Sequence, residues 1–324
     1  MDTNAKIYIA GHRGLVGKAL IRQLNAQGYE NIVSRTRQEL DLTNQAAVRE
    51  FFATEKPEYV FDAAAVVGGI QANDQYPADF IGGNLMIQTN LIDTAYRSGV
   101  SKFLFLGSTC IMPREAPQPM KEEYMLTGPL EETNQWYAVA KIAGIKMCQA
   151  YRRQHGFDAI SVQPTNLFGI GDNFDYETSH MPAALIRKMH DAKVSGADDV
   201  VIWGTGTPRR EIMYVDDMAN ACVYLMQNYS GEDFVNIGVG DDISIREFAE
   251  MIAEVVGFQG RFTYDTSKPD GTPRKLVDVT RLNGLGWTSQ ISLREGVERT
   301  YAWFLDNNAS LRTLSAESFA EKTG

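Results

Sequence analysis

Tyr137 and Lys141 stand four residues apart, so on a helix both side chains leave the same face. An ammonium beside a phenol lowers the phenol's pKa toward the working range, and such a pair can protonate the alkoxide formed when hydride reaches a carbonyl. The spacing also occurs on ordinary helix surfaces, so it needs a third group to gain weight. Ser108 is that group. It follows the apolar run Phe103-Leu104-Phe105-Leu106-Gly107, which reads as a parallel strand buried on both faces. Ligands bind at the carboxyl edge of such sheets, where a hydroxyl donates to the same carbonyl or merely caps a turn. Cys110 lies two residues on and shares that crevice if the chain stays extended. A thiolate takes an acidic proton next to a ketone, and His180, opening a later helix, could return one from the opposite face. Spacing alone favours plainer readings for these two, a buried cysteine and a helix-capping histidine. His12, His155, His180 and His190 show no paired ligand spacing, so no metal is expected.

Hydride chemistry needs a carrier. The short apolar stretch Ile7 to Ala10 runs into Gly11-His12-Arg13-Gly14-Leu15-Val16-Gly17 and then an amphipathic segment, Lys18 to Gln27. A pyrophosphate requires backbone N–H groups at a helix start and no side chains blocking close approach, which glycines at these positions allow. Strand before and helix after make this a dinucleotide site rather than a mere turn. The next strand should end beside the adenosine ribose, where an acid would hold the 2′-hydroxyl of NAD. Arg35 and Arg37 stand there instead, with Arg13 in the loop, so the cofactor is expected to be NADP(H). Asp41 and Leu42 should border the adenine.

The elements that must position these groups follow from the hydrophobic rhythm. Apolar runs at Ile7 to Ala10, Asn31 to Ser34, Tyr59 to Ala65, Phe103 to Gly107 and Ala159 to Gln163 alternate with amphipathic stretches, the pattern of an α/β doubly wound parallel sheet of Rossmann type. After Asn166 the rhythm breaks. A Gly, Asn and Asp-rich loop, a short helix after Met181, a turn at Trp203-Gly204-Thr205-Gly206 and a helix from Ser244 read as a smaller mixed α/β substrate lobe. Residues 215 to 237 read as helix then strand, so the chain is expected to return to the large sheet. The cofactor domain is therefore residues 1–165 and 215–240, and the substrate domain residues 166–214 and 241–324. The segment Pro77 to Arg97 is apolar on more than one face, which means either contact with a second subunit, giving a homodimer, or a fully buried helix.

Composition sets limits on partners. A formal charge of -10 over 324 residues repels phosphate backbones and anionic lipid surfaces, and the arginines fall in small groups that suit one or two phosphates of a small ligand. Neither nucleic acid nor membrane is expected as a partner. Three cysteines without paired spacing, an amino terminus lacking a signal-like pattern and no long apolar window together point to the cytoplasm.

Gly11-His-Arg-Gly-Leu-Val-Gly17, Gly107-Ser-Thr-Cys-Ile-Met-Pro113, Tyr137-Ala-Val-Ala-Lys141, Pro164-Thr-Asn-Leu-Phe-Gly169 and Lys268-Pro-Asp-Gly-Thr-Pro-Arg-Lys275 together resemble the GDP-L-fucose synthases, extended short-chain dehydrogenases. The resemblance spans nearly the whole chain. It implies conversion of GDP-4-keto-6-deoxy-D-mannose to GDP-L-fucose with NADPH, by epimerisation at C3 and C5 and reduction at C4. It also implies Ser108, Tyr137 and Lys141 as the reductase set, Cys110 as epimerisation base and His180 as acid. Arg187 or Lys188, Trp203, Arg210 and Asp270 would hold the nucleotide sugar, and Pro164, Thr165, Asn166, Leu167, Lys141 and His180 would line the cofactor. The chain departs from the family's usual pattern at Met112 and at Ile170-Gly171, which bears on how the sugar sits. A dehydratase of this fold would carry an acidic pair where Cys110-Ile111 stands, a simple 4-epimerase would recycle NAD, and a redox-sensing binding module would not need the Ser/Tyr/Lys set.

Overall fold

The computed structural model describes residues 1–176, 178–268, 270–308 and 311. In chain order its first half runs β1 (Ile7–Ala10), α1 (Leu15–Ala26), β2 (Ile32–Val33), α2 (Gln45–Glu55), β3 (Tyr59–Asp62), α3 (Ile70–Gln75), α4 (Pro77–Arg97), β4 (Lys102–Leu106), α5 (Gln135–His155) and β5 (Ala159–Pro164). The second half runs β6 (Asn166–Phe168), α6 (Met181–Ser195), β7 (Asp199–Trp203), β8 (Arg209–Arg210), β9 (Ile212–Tyr214), α7 (Val215–Asn228) and β10 (Val235–Ile237). It closes with β11 (Ile243–Ser244), α8 (Ile245–Val256), β12 (Arg261–Asp265), β13 (Arg274–Lys275), α9 (Thr280–Gly284) and α10 (Leu293–Asn307).

Six strands form one all-parallel sheet in the order β10-β5-β4-β3-β1-β2. Apart from the half-buried β2, these strands are buried along nearly their whole length, and successive side chains alternate between two buried layers. Tyr8, Val60, Phe103 and Phe105 pack under α2, α4 and α5, while Ile7, Ile9, Phe61 and Leu104 pack against α1 and α7. Phe105 fixes the height of α5. A Cβ on Gly144 would lie 2.2 Å from the Phe105 ring, so only glycine lets the helix approach this closely and set Lys141 over the strand end. The helix stops at Gly156, whose φ of 69° carries the chain into the left-handed turn that ends it.

A third apolar cluster, built on α6, α8 and α10 with Phe168, Tyr214 and Phe248, forms the core of the second lobe. The amphipathic α8 is started by a reciprocal capping box between Ser244 and Glu247. The two lobes are stitched together at Glu211, which is completely buried. Its carboxylate accepts the N–H groups of Val239 at 2.7 Å, Gly240 at 2.8 Å and Val277 at 2.9 Å. Its carbonyl accepts Thr165 Oγ1 at 3.2 Å and Asn166 Nδ2 at 2.8 Å. β6 pairs in parallel with β9, and β13 with β8, so the strip after β5 and the segment carrying Lys275 meet across this one residue.

The all-round apolar helix of the sequence, α4, resolves into two sides. Phe80, Leu91 and Ile92 are fully buried, whereas Met86 of α4 is 49% exposed, and Trp136 and Val139 of the neighbouring α5 are exposed too. No helix among the described residues is long and apolar enough to cross a membrane.

Candidate active site

The glycine loop turns directly from β1 into α1, closed by Gly14 N–H on the Gly11 carbonyl at 3.0 Å. Gly11 has φ +76° and a Cβ there would sit 2.5 Å from the Ala63 carbonyl oxygen; a Cβ on Gly17 would sit 2.3 Å from the Gly11 oxygen. The loop therefore lies flat on the end of β3, with the bare amino end of α1 above it, and Gly14 caps that helix without a side chain. Those free N–H groups and that lack of side-chain bulk fit a pyrophosphate. His12 is held below its ordinary pKa, first by burial and then by Arg13.

Arg13 and Arg35 converge on one corner, both pulling the Glu39 carboxyl down after its hydrogen bonds to Thr36. Arg35 is already engaged: it forms an ion pair with Glu55, donates to the Ser34 carbonyl and lies over the Phe51 ring at 5.4 Å. Arg37 is exposed at the same edge. Asp41 is turned onto its own loop, accepting Thr43 N–H at 2.9 Å and Thr43 Oγ1 at 2.8 Å, and Leu42 packs on the sheet core. Pro164 ends β5, Thr165 and Asn166 are tied to Glu211, and Leu167 pairs with Met213.

At the carboxyl end of β4 the chemistry-bearing groups come together. Ser108 leads into a 3-10 turn, Thr109–Ile111, so the extended chain foreseen between Ser108 and Cys110 is replaced by a tight turn. The turn still brings the Cys110 thiol onto Ser108, because it folds the second residue back over the first. Burial pushes that thiol up, while the Ser108 contact and then Lys275 and Lys141 pull it down. Lys141 is 3% exposed, its Nζ bonded to the Leu106 carbonyl at 2.8 Å and 4.7 Å from the Phe105 ring centre. The Tyr137 ring centre lies 5.8 Å from that ammonium.

The sequence led to a phenol lowered by Lys141; the structure has it raised, first by burial and then by the negative charge of Cys110 and Asp62. The ammonium is spent on the Leu106 carbonyl, and desolvation outweighs a cation at this range. A raised phenol keeps its proton, which is what an acid delivering to an alkoxide requires.

His180 is not bonded to this cluster. It occupies the position before α6, open to solvent and making no capping bond, while the surrounding protein holds its pKa below the ordinary histidine value by desolvation. No hydrogen bond joins its ring to Ser108, Cys110 or Tyr137 among the described residues.

Of the groups tied to a nucleotide sugar, Lys188 Nζ lies 5.3 Å from the ring centre of Trp203, which is 64% exposed at the end of β7. Lys268 reaches the same ring at 5.4 Å. Asp270 accepts Thr205 N–H at 2.7 Å and Thr205 Oγ1 at 2.8 Å, and its charge raises Arg210 against the burial that lowers it. Lys188, Trp203, Arg210 and Asp270 thus share one wall. Arg187 faces elsewhere, donating to the Phe174 carbonyl at 2.8 Å and stacking on Tyr176.

Four residues at or beside the site have no role assigned from the sequence: Asp62, Glu211, and Lys268 and Lys275, which only bound one of the motifs that carry the resemblance. An acid inside the apolar run Val60-Phe61-Asp62-Ala63 was the available signal for the first. Glu211 and Lys275 adjoin arginines and read as surface charge, and nothing in the spacing separates Lys268 from solvent-facing lysines.

Residues 7–238 match the model of the NAD dependent epimerase/dehydratase family. The chain is 61% identical over 307 residues to a putative GDP-L-fucose synthase 2 of Arabidopsis thaliana, covering 95% of this chain and 94% of that one. It is 52% identical to the GDP-L-fucose synthase of Escherichia coli (strain K12), over 95% of this chain and 98% of that one. A crystal structure of a GDP-L-fucose synthetase from Naegleria fowleri bound to NADP superposes with a TM-score of 0.90 at 30% identity, covering 96% of each chain.

Proposed function

Since this chain belongs to the NAD dependent epimerase/dehydratase family and, within it, to the GDP-L-fucose synthases, we propose that it converts GDP-4-keto-6-deoxy-D-mannose to GDP-L-fucose with NADPH. The observation that carries this is the meeting of Ser108, Cys110, Tyr137 and Lys141 at one strand end.

One ketone serves every step. C3 and C5 both flank the C4 carbonyl, so donors that polarise its oxygen stabilise each enolate as well as the alkoxide. Ser108 and Tyr137 hold that oxygen. Cys110, deprotonated with help from the neighbouring Lys275 and Lys141 charges, removes one proton in each epimerisation, at C3 and at C5, and releases it to solvent, while His180 gives one proton to the opposite face of that carbon and is reprotonated from solvent. NADPH, when bound, supplies the hydride that reduces C4. Tyr137 passes its phenolic proton to the C4 oxygen, and Lys141 compensates the charge left behind.

Gly11 to Gly17, with Pro164 to Leu167, form the seat for the cofactor, a role supported by the space their glycines leave at the start of α1. Arg13, Arg37 and Arg35, the last sharing Glu55, hold the 2′-phosphate; Asp41 and Leu42 border the adenine. Lys188, Trp203, Arg210 and Asp270 hold the GDP part, with Lys188 taking the place that the sequence left open between it and Arg187. Residues 1–165 and 215–240 form the cofactor domain, and residues 166–214 and 241–324 the nucleotide-sugar domain. Two copies pair through the outward side of α4 and α5, where Met86, Trp136 and Val139 are exposed. The cytoplasm is the proposed location, in keeping with three unpaired buried cysteines.

Incubation with the keto sugar and NADPH tests the reading. One NADPH should be oxidised per fucose-configured product formed, read by absorbance and proton NMR. Epimerised or dehydrated sugar without NADPH loss would refute it.

A further inference from the structure

Lys141 poses a problem that its own bond does not solve. Its ammonium is sealed from water and its direct acceptor is a neutral carbonyl, that of Leu106. A buried ammonium without a counter-charge tends to give up its proton. Among the described residues, the groups that pull it back toward the charged form are Asp62 first and Cys110 second.

Asp62 is placed for this by the strand itself. It ends β3 in register with Phe105 of β4 and Ala10 of β1. Side chains on a strand alternate, so Asp62 shares the face of Val60, the face that packs with Phe103 and Phe105 beneath α5. Phe105 is the ring over which the Lys141 ammonium sits. The carboxyl is 0% exposed; Oδ1 accepts Ala64 N–H at 3.1 Å, while Oδ2 has no hydrogen-bond partner. An orphaned buried carboxylate oxygen is costly, and a fold tolerates one where the charge has a use.

We propose that Asp62 is a positioning residue for the C4 reduction, the counter-charge that holds the Lys141 ammonium beside Tyr137. This rests on the reading of Ser108, Tyr137 and Lys141 as the reductase set. The groups around Asp62 agree on the sign of its effect. Tyr8 of β1 and Tyr137 and Cys148 of α5 are raised first by burial, and the Asp62 charge adds to that rise in each; Arg35 opposes it at Tyr8, and Ser161 and Arg152 oppose it at Cys148. Burial raises the Asp62 carboxyl to about 6, with Lys141 the main opposing influence. The pair is therefore in its charged form above that value, and reduction should fall as the pH drops through it.

The test is the pH profile of kcat/KM for C4 reduction in the full-length protein with NADPH and the keto sugar, for wild type, Asp62→Asn and Asp62→Glu. Without the carboxylate both Lys141 and Tyr137 lose their protons more easily. Asp62→Asn, which resembles the protonated acid, should lack the limb near 6 and keep the low acid-side rate above it, and its alkaline limb should move down by about one pH unit, a further loss of roughly tenfold on that side. Asp62→Glu should restore both limbs, and the Kd for NADPH should not change. Asp62→Leu, of similar volume, is read in the same way should the amide not fold. A wild-type protein that reduces the ketone, with neutral variants whose limbs stay in place, overturns the role of Asp62 alone. A wild-type protein that reduces nothing overturns the functional reading and this inference together.

Discussion

Replacing Glu211 by Gln is the sharpest single perturbation of the joint between the lobes. In the wild type Oε1 serves Val239 and Gly240 N–H, and Oε2 serves Val277 N–H, all within 2.9 Å. An amide can keep its oxygen on the first two, but its NH2 then faces the Val277 N–H, donor against donor. One buried N–H is orphaned, at about 1–3 kcal/mol, and two charge-assisted bonds become neutral ones at roughly 1 kcal/mol each. Burial works against the wild type, since desolvation raises the Glu211 carboxyl above its ordinary value despite these bonds. The lower end applies, about 3 kcal/mol, or roughly 4–5 °C in Tm for a chain of 324 residues. The functional consequence should be selective. Val277 and Lys275 belong to one short segment and Arg210 adjoins Glu211, so the KM for the nucleotide sugar should rise about tenfold while NADPH affinity changes little. Differential scanning calorimetry at saturating NADPH and steady-state kinetics measure both. A variant within about 1 °C of wild type, with an unchanged KM, would refute the reasoning.

Asp62 also makes a stability prediction. Its folded pKa, about 6, exceeds the ordinary value of 3.8, so the stability tied to its protonated form is full below about 4 and lost as pH rises through 6. Relative to Asp62→Asn, wild type should lose on the order of 1 kcal/mol between about pH 5 and pH 8, measured by urea titration; a constant gap would contradict the shift. Gly17→Ala puts a Cβ 2.3 Å from the Gly11 oxygen. It should weaken NADPH binding by at least about 100-fold, since the phosphate seat must open to admit it, and calorimetric binding near wild type would count against the seat. Trp203→Ala removes a ring already 64% exposed. It should leave Tm unchanged and weaken GDP binding about tenfold, the scale of one lost base–aromatic stack; equal loss for a sugar without its nucleotide would show the ring does something else.

Much of this was legible because buried parallel strands leave an unmistakable run, and because the glycine loop and the Tyr/Lys pair are set by spacing within single elements. Phe103 to Leu106 and the turn at Gly11 to Gly17 fall where the periodicity places them. What was hidden depends on contacts between elements. The Ser108–Cys110 contact comes from a 3-10 turn that no two-residue periodicity encodes. The direction of the Tyr137 shift follows from where the Lys141 ammonium is anchored, on a carbonyl 35 positions away in sequence. Arg187 and Lys188 are adjacent on α6, and only the packing of Phe174 and Tyr176 decides which faces Trp203. The apolar run Tyr59 to Ala65 also outlasts its strand: β3 ends at Asp62, because the glycine loop occupies the space beyond, against Ala63.

The most direct test of a single shared ketone is solvent deuterium exchange in two variants, followed by mass spectrometry of the sugar. Tyr137→Phe, with NADPH present, should slow C4 reduction by roughly 100-fold or more, the scale of a lost proton donor, while C3 and C5 still take up deuterium. Cys110→Ser should lose the uptake at both carbons and still bind the cofactor. Undiminished exchange in Cys110→Ser would separate the thiol from the ketone and contradict the account.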